Sequence, residues 1–372
     1  MKILYDGWSL VHQPNSPAAL HLLTLLAAHP AEFPAWVGLP GEAFHPLPPG
    51  VETLRQAEPD TDWGRLGWEQ RTLPALAGRT GADLVHLVGS SPALFGSRRT
   101  LVSPASFAGA GLPAGRRRPG FAARLGESLS LGSLGRVNAW LWPADLPFDL
   151  AGRRVHRLPP AVHPYFQCAL EAHCPAPSDE RPLDGLDLPE TYLLVHGPGD
   201  EPALRCLLDA WSWAAGSIGA YFPLVLVGLD RADQDRLAAL LAEYQLTGTA
   251  IPLPRLSLTT LAALYRRCSA LFHPAHISPW GDPVRLALAC GKPVVALESE
   301  RAAALVGPAG YLVPANADYP AMSRALGAAL ITVVVEESLA EKLAEAAGRQ
   351  AASWQFDLFK KSLREFYAGR VP

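Results

Sequence analysis

ALFHPAHISPWGDPVRLALACGKPVVA (270–296) decides the fold. It opens on a short continuous apolar run at 270–273, passes through a Pro- and Gly-rich turn, and reaches the pair Asp282-Pro283. Asp before Pro is a helix start: the carboxylate can take a free N–H of the first turn, and proline needs no partner at the first helical position. A helix is expected over 284–289 and a second apolar strand over 293–297. Apolar strands joined by helices read as parallel strands covered on both faces.

The same alternation extends outward. Upstream, strands are expected at 192–196, 224–227 and 249–253, with helices at 203–214, 233–244 and 258–267. Downstream the chain is helical, at 319–333, 336–353 and 357–367. The first half repeats the pattern, with strands at 2–5, 35–39, 82–88, 100–103, 139–142 and 155–158 and helices at 18–28 and 66–77. CPAPSDERPLDGLDL (174–188) is a polar, Pro-rich break between the halves. The expected class is α/β, with two Rossmann-like doubly wound domains facing a cleft. The natural ligand site is the crevice at the carboxyl ends of the strands.

Composition agrees. Of 372 residues, 49% are hydrophobic and 18% charged, which suits large buried sheets and opposes disorder. A net charge of -3 offers no basic field for a nucleic acid. Cys168, Cys174, Cys206, Cys268 and Cys290 have no zinc spacing and no C-x-x-C pair. They read as reduced thiols of a cytoplasmic protein. ALGAALITVVV (325–335), the most apolar run, is too short to span a membrane, while contact with a membrane surface stays open.

The 270–296 segment resembles the signature of family 4 (group 1) glycosyltransferases, E-G-F-G-L-P-x-x-E-A-x-A-x-G-x-P-V-V. Pro274, Gly281, Pro283, Ala287, Ala289, Gly291, Pro293, Val294 and Val295 fall in matching places, and Trp280 stands at an aromatic position. RLPPAVHPYF (157–166), PLVLVG (223–228), VGPAGYLVP (306–314) and the ending SWQFDLF…FYA resemble flanking family segments. The resemblance implies the GT-B arrangement. Residues 1–173 form an acceptor-side domain, 174–188 the linker, 189–354 a donor-side domain, and 355–372 a helix packing back on the first domain. It also implies a nucleotide-sugar as substrate, transfer with retention, and no metal. In the family an Arg and a Lys stabilise the leaving diphosphate, and two glutamates hold sugar and ribose hydroxyls.

This sequence departs from the family at those positions. The two glutamates fall on Ser278 and Leu286. VHGPGDEPALR (195–205) puts Pro198 at the Arg position and has no Lys; Arg205 is the nearest cation. A third family glutamate becomes Ala304, LVSPASFAG (101–109) lacks the acceptor-side His, and DGWSLVHQPNSPAA (6–19) lacks the Gly-Gly pair. Asp200, Glu201 and Pro202 form a second acidic helix start. Carboxylates at these starts satisfy the N–H groups that would otherwise meet phosphate, and repel the anion. Each lost charge-assisted contact is worth roughly 1.5–3 kcal/mol, so losing two costs on the order of 100- to 10,000-fold in affinity.

The candidate donor-side residues are Gly197, Gly199, Asp200, Ser278, Trp280, Gly281, Asp282 and Arg285, with His86 on the acceptor side. No residue is assigned a catalytic role. Each has a plainer reading: Asp282 as a cap, Arg285 as a solvated or ion-paired helix arginine, Trp280 as core. His86, His196, His273 and His276 lie near strand ends without metal spacing. The basic loop GRRRPG (115–120) reads as solvated, with anionic headgroups or an anionic acceptor as the sharper alternative. Trp211 and Trp213 cannot share one helix face, so one is expected at the surface. Two functions remain: a glycosyltransferase with a drifted donor site binding a nucleotide-sugar or glycan, or a non-catalytic binding or scaffold subunit, its partner an active glycosyltransferase. A third, an epimerase or hydrolase on the same fold, lacks a convincing acid and base pair.

Overall fold

The computed structural model describes residues 1–89, 91–94, 98–105, 134–148, 152–167, 183, 185–197, 201–315 and 318–369. Gly199, Asp200, the 115–120 loop and most of the 174–188 break lie outside them.

The described strands form two parallel sheets. The first contains β1 (Ile3–Asp6), β2 (Ala35–Leu39), β3 (Glu52–Arg55), β4 (Leu84–Leu87), β5 (Arg99–Val102), β6 (Ala139–Pro143) and β7 (Val155–Leu158), in the order β3-β2-β1-β4-β5-β6-β7. The second contains β8 (Leu193–His196), β9 (Leu224–Val227), β10 (Ala250–Pro252), β11 (Ala270–His273), β12 (Val294–Leu297) and β13 (Gly310–Val313), in the order β10-β9-β8-β11-β12-β13. In each sheet the order reverses beside a central strand, β1 against β4 and β8 against β11. These reversals are the switch points where such sheets open a crevice.

Central strands are fully buried, as their apolar runs require: β8, β9 and β11 have no exposed residue. The two strands missing from the sequence reading, β3 and β13, lie at sheet edges. Backbone pairing defines them, and ETLR in β3 is mostly exposed, so no apolar run announces it.

In the first domain α1 (Trp8–His12) and α2 (Pro17–Ala27) follow β1. Ser16 caps α2, its hydroxyl accepting from Ala19 N. The helix expected over 66–77 is broken into α3 (Asp62–Gly67), a π-turn (Trp68–Thr72) and α4 (Leu73–Thr80). Pro74 lacks the N–H that would continue a regular ladder. The second domain carries α5 (Glu201–Ile218), α6 (Arg231–Glu243), α7 (Leu258–Arg267), α8 (Pro283–Ala289), α9 (Glu300–Val306), α10 (Tyr319–Val335) and α11 (Glu337–Ala351). Trp211 of α5 is buried, while Trp213 is exposed with Arg324 over its ring at 4.7 Å.

The last helix, α12 (Phe356–Ala368), lies on the first domain and touches β7. It presents Tyr367 to the Tyr5 hydroxyl at 3.0 Å and pairs Arg364 with Glu32. A single apolar cluster crosses between the sheets, joining Leu20, Leu141 and Phe166 to Ile277, Trp280 and Leu286. No helix among the described residues is long and apolar enough to cross a membrane.

Candidate functional site

Among the described residues, the crevice expected at the strand ends is a packed seam. Its centre is the 277–282 turn after β11 and the first turn of α8. Asp282 caps α8, Oδ1 accepting from Val284 N at 2.8 Å and Oδ2 accepting from Ser278 N. It is 1% exposed, and burial pushes its carboxyl above the ordinary aspartate range. Ser278 turns inward, its hydroxyl donating to Trp280 O at 2.9 Å. Leu286 joins the apolar cluster.

Gly281 shows why the seam is tight. Its φ is +63°, and an added Cβ would stand 2.0 Å from the carbonyl oxygen of Pro17 at the start of α2. Backbone meets backbone across the domains, which only glycine allows. Trp280, beside it, wedges between the domains. Its ring stacks on His21 of α2 at 4.7 Å, and Nε1 donates to Leu141 O of β6 at 3.0 Å. The core reading of Trp280 is the one observed.

Arg285 is 1% exposed, so the solvated reading falls. Its guanidinium reaches across the seam to Asp145, with Nη1 and Nη2 donating to the carboxylate at 2.8 and 3.1 Å. It also lies 4.6 Å over the Trp354 ring. Lower in the seam, Asn15 makes a matched pair with Leu256: Nδ2 donates to Leu256 O at 2.9 Å, and Leu256 N donates back to Oδ1 at 3.0 Å. Arg255 donates to Val11 O and His12 O. His196, ending β8, donates Nε2–H to Asn15 O, so its Nδ1 accepts from the Tyr265 hydroxyl at 2.7 Å. Burial lowers its pKa to about 4.

Gly197 follows with φ +38°, its N–H donating to Val227 O at 2.9 Å. Arg205 lies on the α5 surface, held by Glu201 at 3.2 Å and Glu243 at 2.9 Å. Among the described residues, a cavity of about 140 Å³ lies between residues 12–16 and 228–233, with Asp230, Asp233 and Arg255 on its wall.

His86 requires correction. It is fully buried on β4, within a closed hydrogen-bonded chain. His29 Nε2–H donates to Phe33 O at 2.8 Å, so its Nδ1 accepts from the Tyr5 hydroxyl. The Tyr5 oxygen then accepts from Tyr367, and Tyr367 in turn accepts from His86 Nδ1–H at 2.9 Å. His86 Nε2 accepts from Ser103 at 2.8 Å. Both ring nitrogens are committed, and burial lowers the pKa to about 3. The residue anchors α12 and presents nothing to a ligand.

The seam is less complete. His273 at the end of β11 is 1% exposed, and neither ring nitrogen has a partner. His21 Nε2 and Arg285 Nε are also buried and unpaired. Sequence reasoning missed Asp145, Asn15 and His21 because their partners lie far away along the chain. Among the described residues no cluster of His, Cys, Asp or Glu could hold a metal ion.

Residues 214–350 match the family model described as glycosyl transferases group 1. The fold is shared with solved structures. Sucrose-phosphate synthase from Thermosynechococcus elongatus aligns with 16% identity over 99% of this chain and 98% of its own, TM-score 0.69. WaaG, a glycosyltransferase involved in lipopolysaccharide biosynthesis, aligns with 16% identity over 99% of both chains, TM-score 0.67. Anabaena HepE, solved with UDP-glucose, aligns with 17% identity over 99% of this chain and all of its own (100%), TM-score 0.65. No curated protein sequence matches.

Proposed function

We propose that this GT-B chain of the group 1 glycosyltransferase type is a non-catalytic binding or scaffold subunit whose donor cleft is filled by its own side chains. The observation that carries the reading is the seam formed by Trp280, Asp282 and the Arg285–Asp145 pair. A nucleotide-sugar of the kind HepE holds needs a pocket of roughly 300–1,000 Å³. The opening between residues 12–16 and 228–233 is about 140 Å³. The charge pattern supports the same reading. Asp282 occupies the first free N–H of α8, that of Val284, and Arg205 is tied to two glutamates away from the seam. A GT-B fold without the charged residues the family motif places on its donor suits a partner subunit of an active glycosyltransferase.

One observation favours a second reading, a transferase that opens to take an altered donor. The buried His273 ring lacks the partner such a group normally has, and a bound hydroxyl would supply it. A thermal-shift panel of UDP-, GDP- and ADP-linked sugars at millimolar concentration separates the two. The non-catalytic reading expects no rise in Tm and no sugar transfer. Transfer that is sensitive to substitution at Asp282 or Arg285 would overturn it.

A further inference from the structure

The seam holds a cation that its surroundings cannot leave unpaired. Arg285 is the one fully buried Lys or Arg among the described residues. A buried guanidinium persists only with an anion against it. Here the anion is Asp145, and the two partners are unequal. Arg285 is 1% exposed and pinned on the Trp354 ring, whereas the Asp145 side chain is 23% exposed. Asp145 belongs to the turn after β6, which is braced through its backbone: Arg157 donates to Leu146 O at 2.9 Å and Ala144 N donates to Leu158 O at 2.8 Å. The carboxylate can therefore swing into water without unfolding its turn. The arginine cannot follow it. Around the guanidinium the seam keeps unused hydrogen-bonding nitrogens, Arg285 Nε itself and His21 Nε2. The guanidinium is thus only partly satisfied by one carboxylate, its Nε–H having no acceptor.

We propose that the Arg285 guanidinium is the centre of an anion site that Asp145 fills as a tethered stand-in, so that a phosphate-bearing ligand enters the seam only by displacing it. The inference rests on the closed-seam reading and adds what the seam is closed against. A guanidinium fork recognises carboxylate and phosphate by the same two-pronged geometry. A singly charged free carboxylate gains nothing over the tethered one. A phosphate or diphosphate brings more negative charge to the same fork and can compete. Displacement would return Asp145 to solvent and loosen the contact between β6 and α8, coupling ligand entry to separation of the domains.

The test is a thermal-shift titration with inorganic diphosphate and, separately, UDP. It compares the unmodified protein, Asp145→Asn and the double variant Asp145→Asn/Arg285→Met. Without ligand Asp145→Asn melts lower. The unmodified protein, its fork held by Asp145, gives no rise in Tm at millimolar ligand, whereas Asp145→Asn responds at a diphosphate concentration about tenfold or more lower, and the double variant loses the response. Asp145→Ser gives the same readout if the Asn variant does not fold. Equal response to diphosphate and UDP identifies a simple anion site; a stronger response to UDP identifies a nucleotide. Either supports the proposal. An Asp145→Asn protein that binds diphosphate no better than the parent, or a double variant that binds as well as the single, overturns it and leaves the non-catalytic reading standing. Sugar transfer by the unmodified protein would do the reverse.

Discussion

Two buried polar regions tie this molecule together, and they are built differently. Where α12 meets the first domain, His29, Tyr5, Tyr367, His86 and Ser103 form a chain in which every ring nitrogen and hydroxyl has a partner. Where α8 meets the first domain, Asp282 and Arg285 are paired, yet His21 Nε2, Arg285 Nε and both nitrogens of His273 are not. A satisfied network rigidifies, while a partly satisfied one signals strain or an absent ligand. The first is therefore a fastener, and the second keeps hydrogen-bonding capacity that nothing in the seam meets.

The largest expected effect breaks the second region. Trp280→Ala removes a ring that is 1% exposed, its stack on His21 and its bond to Leu141 O. It should cost about 3–5 kcal/mol, read as a lowered urea midpoint. The domains should also separate, read as an increased radius of gyration by small-angle scattering. If stability falls with no change in shape, the seam is ordinary core and the contrast with α12 disappears.

The next effect tests the fastener. Tyr367→Phe leaves His86 Nδ1–H without an acceptor and should cost about 1–3 kcal/mol with no change in radius of gyration. Acid probes both regions. His86 and His196 titrate near 3 and 4 when folded, against an ordinary value of 6.5. Between those limits the unfolded chain binds more protons than the folded one. Their contribution is thus complete above about pH 6.5 and shrinks as pH falls, by about 1.4 kcal/mol per pH unit for each imidazole. His86→Gln should flatten the stability profile between pH 6 and 4 by one such share. An unchanged slope would mean that His86 is not held neutral by its chain.

The two regions were also unequally legible in the sequence. Apolar runs gave the central strands, and β9 and β11 begin and end where the runs do. Asp282 as a cap was readable because Asp-Pro is a local signal, realised in bonds two and four residues away. The face geometry of Trp211 and Trp213 was readable for the same reason. Arg285 could be recognised as a helix arginine, but its partner stands 140 residues earlier, in a turn of the other domain, and no local pattern couples them. His86 was misplaced because Tyr367, 281 residues later, decides its surroundings. Local chemistry was visible, whereas contacts made by tertiary folding were not.

The smallest expected effect sharpens the contrast through a second arginine of the same domain. Arg205 makes more ionic contacts than Arg285, reaching Glu201 at 3.2 Å and Glu243 at 2.9 and 3.2 Å. Yet its side chain is 33% exposed, and water competes for every one of those contacts. Exposed pairs contribute little because attraction in water is weak and holding long side chains costs entropy. Arg205→Met should leave the Tm nearly where it was and should leave the response to diphosphate untouched in both the unmodified and Asp145→Asn backgrounds. Arg285→Met, which exchanges one ion contact partner for none in a buried seam, should do neither. If Arg205→Met instead abolishes diphosphate binding, the anion site belongs at the start of α5, the position the family motif gives its cations, and burial is not what selects the cation.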